Sequence, residues 1–177
     1  MPIIQTAPVV HTVFESPVGD LVLTAVDGRL SGLYMENHRH RPAFDTFGPL
    51  DPGPFGAVVE QLGAYFDGTL TAFDLPLALH GTPFQRIVWD ALREIPYGET
   101  ISYGELAERI SRPSAVRAVG LANGRNPVSI VVPCHRVVGS TGSLTGYGGG
   151  IERKRHLLAL ETATAGVALG HASATLF

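Results

Sequence analysis

The apolar residues change period at Gly81, and that switch divides the chain. Before it, Phe73, Leu75, Leu77 and Leu79 alternate strictly, as one side of an extended segment does. After it, Phe84, Ile87, Val88, Ala91, Leu92 and Ile95 share one face of a helix. Thr82 suits the N-cap of that helix, Pro83 its first position, and Pro96 stops it. A period of two builds sheet and a period near 3.6 builds helix packing. The chain is therefore expected to be α+β, with one unit over 1–80, a second over 81–162, and a tail over 163–177.

In the first unit, Leu21–Val26 reads as a strand, Asp27-Gly28 as a two-residue hairpin turn, and Leu30–Tyr34 as the return strand. Another strand is expected at Val9–Phe14. Residues 36–53 show neither period and read as loop. From Asp51-Pro52 a helix carries Phe55, Val58, Val59, Leu62, Tyr65 and Phe66 on one face and stops at Gly68. No chemical constellation gathers here, and His38-x-His40 reads as solvated loop rather than a ligand pair.

The second unit is richer. Ser102-x-x-Glu105 is a capping box that opens a short helix through Ile110. Ser111-Arg112-Pro113 turns the chain, and a second helix spans Ser114–Asn123 with Gly124 as its stop. Two short helices with a tight turn make a helix-turn-helix, a device for presenting a helix to DNA. Ala115, Ala118, Gly120 and Ala122 on the second helix allow close approach, either to a narrow partner or to the first helix. Arg117 is the only charge there.

Asn126-Pro127 then leads into an expected buried strand, Val128–Val132, and so to the only cysteine, in the run Pro133-Cys134-His135-Arg136-Val137-Val138. Pro133 cannot donate a ladder hydrogen bond, so pairing should end there and the thiol should sit on a turn. A lone cysteine in an apolar run is ordinarily an inert hydrophobe. Pro, His and Arg beside it spoil a plain core strand, and a thiol of pKa about 8.5 gains reactivity from a neighbouring base or cation. Glu161, in a final helix over Ile151–Glu161, shares a face with Leu157 and Leu158. A carboxylate among leucines needs a partner, and His135 is the candidate. Tyr147 stands in a pliant loop of four glycines, suited to folding over a flat ligand.

The net charge of −3 conceals an asymmetry. Residues 1–80 carry Arg29, Arg39 and Arg41 against nine acids, whereas 81–177 carry ten basic residues against seven. Only the second half is suited to an anionic partner. No apolar run reaches the roughly 18 residues of a membrane span. The start, Met-Pro-Ile-Ile-Gln, has no signal-peptide pattern, and one cysteine permits no internal disulfide, so a cytoplasmic protein is expected.

The run Ile-Val-Val-Pro-Cys-His-Arg-Val-Val-Gly at 130–139 resembles the active-site signature of the O6-alkylguanine-DNA alkyltransferases. The likeness covers 50–161 well, is densest over 82–161, and is loose before that. It implies an RNase H-like N-terminal domain and a mostly helical C-terminal domain with a winged or helix-turn-helix DNA-binding motif. The implied activity is direct-reversal DNA repair: an O6-alkylguanine, with O4-alkylthymine as a second substrate, is flipped out and its alkyl group passes irreversibly to the protein. By the same resemblance Cys134 is the nucleophile and acceptor, His135 the base acting through a water, and Glu161 its orienting acid. Asn126 holds the site, Tyr147 donates a proton toward guanine N3, and Lys154 shapes the pocket. Tyr103 rotates the 3′ phosphate and Arg117 takes the place of the extruded nucleotide. Ser102, Ala115, Ala118, Gly120 and Arg136 complete the DNA-facing set.

The implied partner is double-stranded DNA approached from the minor groove by a monomer, with cooperativity left open. No cofactor or metal is implied, since relatives with a structural zinc hold it with two cysteines and two histidines, and the first half has no cysteine. Gly148 stands where some relatives carry a serine that hydrogen-bonds guanine O6, which leaves only a backbone N–H there. Two rival readings share these residues. A cysteine hydrolase would use the same Cys–His–acid set and turn over. An alkyltransferase-like lesion-binding protein would share the fold, but those proteins lack the acceptor cysteine.

Overall fold

The computed structural model describes the backbone of residues 7–174 and side chains as far as 166. Three strands, β1 (Val9–Ser16), β2 (Gly19–Val26) and β3 (Arg29–Met35), form an antiparallel meander in the order β1-β2-β3. Asp27 and Gly28 both take positive φ, 50° and 72°, which lets Val26 pair with Arg29 across a two-residue turn. Leu21, Leu23, Ala25, Leu30, Leu33 and Met35 are buried. Against them α1 (Gly56–Phe66) packs Val58, Leu62 and Tyr65.

The helix begins later than Asp51. The Asp51 carboxylate accepts the Gly53 N–H at 2.9 Å, closing a local turn, and a 3-10 turn over Gly53–Phe55 precedes α1. The alternating segment 73–79 is extended but is not a full strand. Leu30 donates its N–H to the Pro76 carbonyl and accepts one from Ala78, and Pro76 has no N–H with which to continue the ladder.

The second half contains α2 (Pro83–Arg93), β4 (Ile101–Ser102), α3 (Tyr103–Arg109), α4 (Val116–Gly124), β5 (Val137–Val138) and α5 (Ile151–Ala174). Two capping boxes open its helices. Thr82 Oγ1 accepts from Gln85 N at 3.1 Å while Gln85 Oε1 accepts from Thr82 N at 3.0 Å. Ser102 and Glu105 repeat the arrangement at α3. The buried stripe of α2 is rotated from the expected one: Val88, Trp89 and Leu92 are buried and Ile87 is exposed. Trp89 causes this, because its indole N–H donates to the Ala122 carbonyl of α4 at 2.9 Å and draws its face of the helix inward.

Three further expectations are corrected. Gly124 does not stop α4; it is the last helical residue, and Arg125 caps the end. Val128–Val132 is not a strand but a buried irregular segment with one bridge, Val128 to Leu33. Ile130 has φ +71°, outside the strand region. The final helix does not end at Glu161 but runs to Ala174, so residues 162–174 are helical rather than a loose tail. Gly98, at φ +79°, lies so close to Ala165 that a Cβ there would meet it at 2.9 Å, and this contact holds the extension against the turn after α2.

One contiguous core runs from Leu21 and Leu33 through Trp89 and Val119 to Leu157, so the two halves share an interior. No helix among the described residues is long and apolar enough to cross a membrane. The α2 cap gives a direct test: Thr82→Ala should cost about 1 kcal/mol in denaturant unfolding and Thr82→Ser much less. Equal midpoints for Thr82→Ala and the wild type would remove the cap from the stability of α2.

Candidate active site

The site is built on a segment that turns twice. Asn126 holds the first part: its Oδ1 accepts from Val128 N at 3.0 Å and its Nδ2 donates to the Val132 carbonyl at 2.7 Å. This satisfies backbone groups that a strand ladder would otherwise have to pair. Pro133, at φ −83° and ψ 63°, then forms an inverse γ-turn, with Cys134 N donating to Val132 O at 2.8 Å. A 3-10 turn over Cys134–Arg136 follows, and Val137–Val138 pairs in parallel with Ile101–Ser102. The thiol therefore lies on a turn, as its proline requires, although the lead-in is not a strand.

His135 is fully buried, and its Nε2 lies 2.7 Å from Glu161 Oε1. Glu161 is fully buried as well and receives more than the histidine. Arg136 donates from Nε to Oε2 and from Nη2 to Oε1, each at 2.9 Å, and Tyr65 donates its hydroxyl to Oε1 at 2.9 Å. Burial alone would raise the Glu161 pKa, but hydrogen bonds and charge from His135 and Arg136 hold it at about 2. An ionised carboxylate only accepts, so the His135 proton sits on Nε2 and the lone pair of the neutral ring on Nδ1. Nδ1 has no hydrogen-bond partner among the described residues. Burial lowers the imidazole's pKa, against the opposing pull of Glu161, which favours a neutral base.

Cys134 is buried, and burial raises its pKa; Asn126, Lys154 and Ser129 act in the opposite direction. Lys154 is fully buried and donates to the carbonyls of Val137 and Thr145, the latter at 3.0 Å. Burial brings its pKa down to about 8. Tyr147 is buried, and its hydroxyl has no partner among the described residues, nor has that of Ser129. Burial keeps the Tyr147 phenol protonated far above neutral pH.

A cleft of about 420 Å³ lies beside this centre, lined by Tyr103, Arg117 and Gly120 on one side and Thr145, Gly146 and Gly148 on the other. The Tyr103 hydroxyl donates to the Thr145 carbonyl at 3.1 Å. On α4, Val116, Arg117, Ala118 and Leu121 are exposed, Leu121 by 69%. Ala115 and Gly120 are half-buried, and Ser102 spends its oxygen on the α3 cap. A helix presenting small and apolar residues with one guanidinium is a surface with no partner inside the protein.

Of the residues singled out from sequence, Cys134, His135, Glu161, Asn126, Lys154 and Tyr147 all fall in or against one buried centre. Arg136 departs from its expected place. Its guanidinium is buried on Glu161 and on the Ile95 carbonyl at 2.7 Å, so it is not presented to a phosphate. His38 is not solvated either: it is buried, and its Nδ1 accepts from Met35 N at 3.2 Å. Residues missed from sequence are Tyr65, Ser129 and Asn123. Asn123 is buried at the end of α4, with Nδ2 3.5 Å from the Cys134 carbonyl. Only Asn123, the one polar residue besides Arg117 on α4, carried any signal.

Comparison with known proteins agrees with this geometry. The DNA-binding domain of 6-O-methylguanine DNA methyltransferase matches residues 83–163, and the ribonuclease-like domain of the same family matches residues 9–79. The methylated-DNA–protein-cysteine methyltransferase of Mycobacterium tuberculosis is 54% identical over 155 residues, covering 88% of this chain and 93% of the relative. That of Mycolicibacterium paratuberculosis is 58% identical over 147 residues, covering 83% and 88%. The crystal structure of Mycobacterium tuberculosis OGT in complex with DNA superposes with a TM-score of 0.83 at 54% identity, covering 87% of this chain and 93% of that one.

The buried carboxylate makes acid stability a readout of the network. A carboxyl with a depressed folded pKa adds stability that is fully present above its unfolded value and lost as pH falls through the folded one. For Glu161 that window runs from about 4.5 down to about 2. Glu161→Gln should lower the unfolding free energy at pH 7 by about 3–5 kcal/mol, because Arg136 is left buried without its anion. The variant should also lose less further stability than the wild type across that acid window. Urea midpoints measured against pH check both, and equal acid slopes would assign the sensitivity to another carboxyl.

Proposed function

The chain belongs to the 6-O-methylguanine DNA methyltransferase family and repairs DNA by alkyl transfer to a protein cysteine, and we propose that its own residues divide that reaction as follows. Cys134 is the acceptor. His135 Nδ1 takes the thiol proton, directly or through one water, and Glu161 stabilises the imidazolium that results. The new bond joins Sγ to the alkyl carbon, and the bond from that carbon to guanine O6 breaks. The electron pair goes to the base, which takes up a proton from Tyr147 while Lys154 holds the loop that carries it, and the proton held by the His135 imidazolium then restores the phenol, so that both groups end neutral. One observation supports this most: the 2.7 Å pair of His135 and Glu161 leaves a ring lone pair unused on the residue that follows the only cysteine of the chain.

The thiol lies inside the protein and the O6 atom inside the duplex, so one of them must move. The buried site is held by five donors on one carboxylate, and flipping a nucleotide costs a few kcal/mol, so the base is the cheaper group to displace. The exposed small-residue face of α4 suits entry into a minor groove. Arg117 fills the vacated stack, and Tyr103, at the cleft wall, turns the 3′ phosphate; that both line the cleft supports this reading. We take the boundary near Gly81 as separating a supporting unit from the one that carries the reaction. The protein acts as a monomer in the cytoplasm, with O4-alkylthymine as its second substrate.

A thioether has no route back to thiol in water, so transfer should stop at one alkyl group per molecule. Intact mass after incubation with DNA containing O6-methylguanine should show one added methyl on Cys134, and Cys134→Ser should bind the DNA and gain none. Continued repair past equivalence would favour a hydrolase. Binding without any mass change in the wild type would favour a lesion-binding protein.

Arg117 separates recognition from chemistry. An arginine that replaces a flipped base helps only once the nucleotide has left the stack, whereas a phosphate contact helps all DNA alike. Arg117→Ala should therefore slow single-turnover repair of a duplex much more than reaction with free O6-benzylguanine. The two rates falling by the same factor would place Arg117 in folding or general charge.

A further inference from the structure

The first half of the chain has only three basic residues, and two of them, Arg39 and Arg41, stand in the four-residue stretch His38–Arg41. The fold carries this stretch across to the second half. Arg39 N donates to the Gly148 carbonyl at 2.8 Å, which fixes the stretch on the loop of Tyr147. Gly148 has no room for a side chain, because a Cβ there would meet His38 Nε2 at 2.8 Å. The stretch is thus packed into place beside the cleft.

Here it helps to enclose a second cavity, of about 200 Å³, between the two halves. His38, Arg39 and His40 line it from one side, Arg125 at the end of α4 from another, and His80 from the linker. No aspartate or glutamate lines it. Among the described residues, Arg39, His40, His80 and Arg125 make no side-chain hydrogen bond or ion pair. Arg39, His40 and Gly124 line both this cavity and the alkyl-transfer cleft, so the two adjoin. Two guanidiniums sharing a cavity without a carboxylate leave a positive field unneutralised. It is felt at His40, an exposed imidazole whose pKa is lowered by slight desolvation and by the charges of Arg125 and Arg39.

We propose that Arg39 and Arg125, with His40 and His80 at the rim, form an anion subsite that takes a backbone phosphodiester of the DNA strand whose nucleotide occupies the adjoining cleft. The guanidinium fork matches two phosphate oxygens, which a lone ammonium does not. The subsite rests on the DNA-repair reading above and extends it: the acidic half of the chain supplies a cation to the DNA face. Arg39 comes from the loop after β3 and Arg125 from the end of the helix that enters the groove. A phosphate between them would tie the groove-entering helix to the first half only when DNA is bound.

Binding of duplex DNA at a series of salt concentrations tests this. Each phosphate contact contributes about 0.9 to the slope of log K against log[salt]. Arg125→Ala and Arg39→Ala should each reduce the slope by about that amount or less, and together by no more than the loss of one shared contact. Arg125→Lys should keep most of it. A second series places a single neutral methylphosphonate at successive linkages around the lesion. The wild type should lose affinity at one linkage, and Arg125→Ala should be indifferent to substitution there. Thermal melting of each variant establishes that it is folded, and wild-type mass gain on Cys134 tests the repair reading separately.

An unchanged slope in folded Arg39→Ala and Arg125→Ala overturns the subsite. So does a slope loss with no linkage that the variant ignores, since that would be a general effect of charge. Inorganic phosphate offers the last arm. If it raises the melting temperature of the wild type but not of Arg125→Ala while the DNA slopes agree, the cavity holds a free anion and the strand-binding proposal fails.

Discussion

Everything near the thiol depends on one carboxylate. Glu161 sits fully buried on α5 and accepts from His135, Arg136, Tyr65 and, at 3.4 Å, the Gly98 N–H. These donors belong to the turn that holds the thiol, to α1 of the first half, and to the loop after α2. A buried anion is costly unless it is paired and hydrogen-bonded, and removing any partner leaves charge exposed to a low dielectric. The carboxylate therefore makes a joint among elements far apart in sequence. The same joint sets the tautomer of His135, so the arrangement that holds the fold together also leaves the ring lone pair available as a base.

The second constraint is the placement of the loop over the cleft. Its four glycines give it little stiffness of its own, and the first half supplies the missing rigidity. Arg153 donates from Nε to the Val18 carbonyl at 2.8 Å, and from Nη1 to the Glu36 carbonyl at 2.8 Å and the Gly149 carbonyl at 3.0 Å. One guanidinium thus joins the β1–β2 turn, the end of β3 and the loop of Tyr147. Lys154, one residue on, holds the near end through Thr145. The sheet unit carries no reacting group in the proposed reaction, yet it fixes the loop of Tyr147.

Much of this was legible in the chain. The helix spacing of Glu161 with Leu157 announced a buried carboxylate, and His135 was its evident partner; the structure has that pair. The hairpin at Asp27-Gly28 and both helix starts, at Thr82 and Ser102, followed from local chemistry that tertiary contacts do not override. What failed was decided at long range. Val128–Val132 reads as a strand because its residues are apolar and mostly β-branched, but Asn126 pairs its backbone and Ile130 turns left-handed. Arg136 looks like a cation for DNA until α5 brings Glu161 against it. Residues 162–174 have too little apolar pattern to reveal a helix. Their start is set by packing of Thr164 and Ala165 near Gly68 and Gly98, which nothing in the local sequence records.

Burial of the thiol then acts in two directions. It raises the Cys134 pKa, so the resting group is a neutral thiol, poorly nucleophilic and little inclined to oxidise. For a protein whose acceptor can be used once, an ionised and exposed thiolate would be spent on any electrophile that reached it. In the proposed reaction the thiolate is made at the moment of transfer, with the His135 lone pair as base, and the Asn126 amide and the Lys154 cation already act against the rise that burial gives the Cys134 pKa. Each is held by bonds made elsewhere, to Glu161, to Val132 and to Val137. Their geometry need not rearrange when a base enters, so little reorganisation is added to the barrier. On the proposed reading, selectivity comes from access rather than from intrinsic reactivity, because a thiol buried in this way meets only what reaches it through the protein.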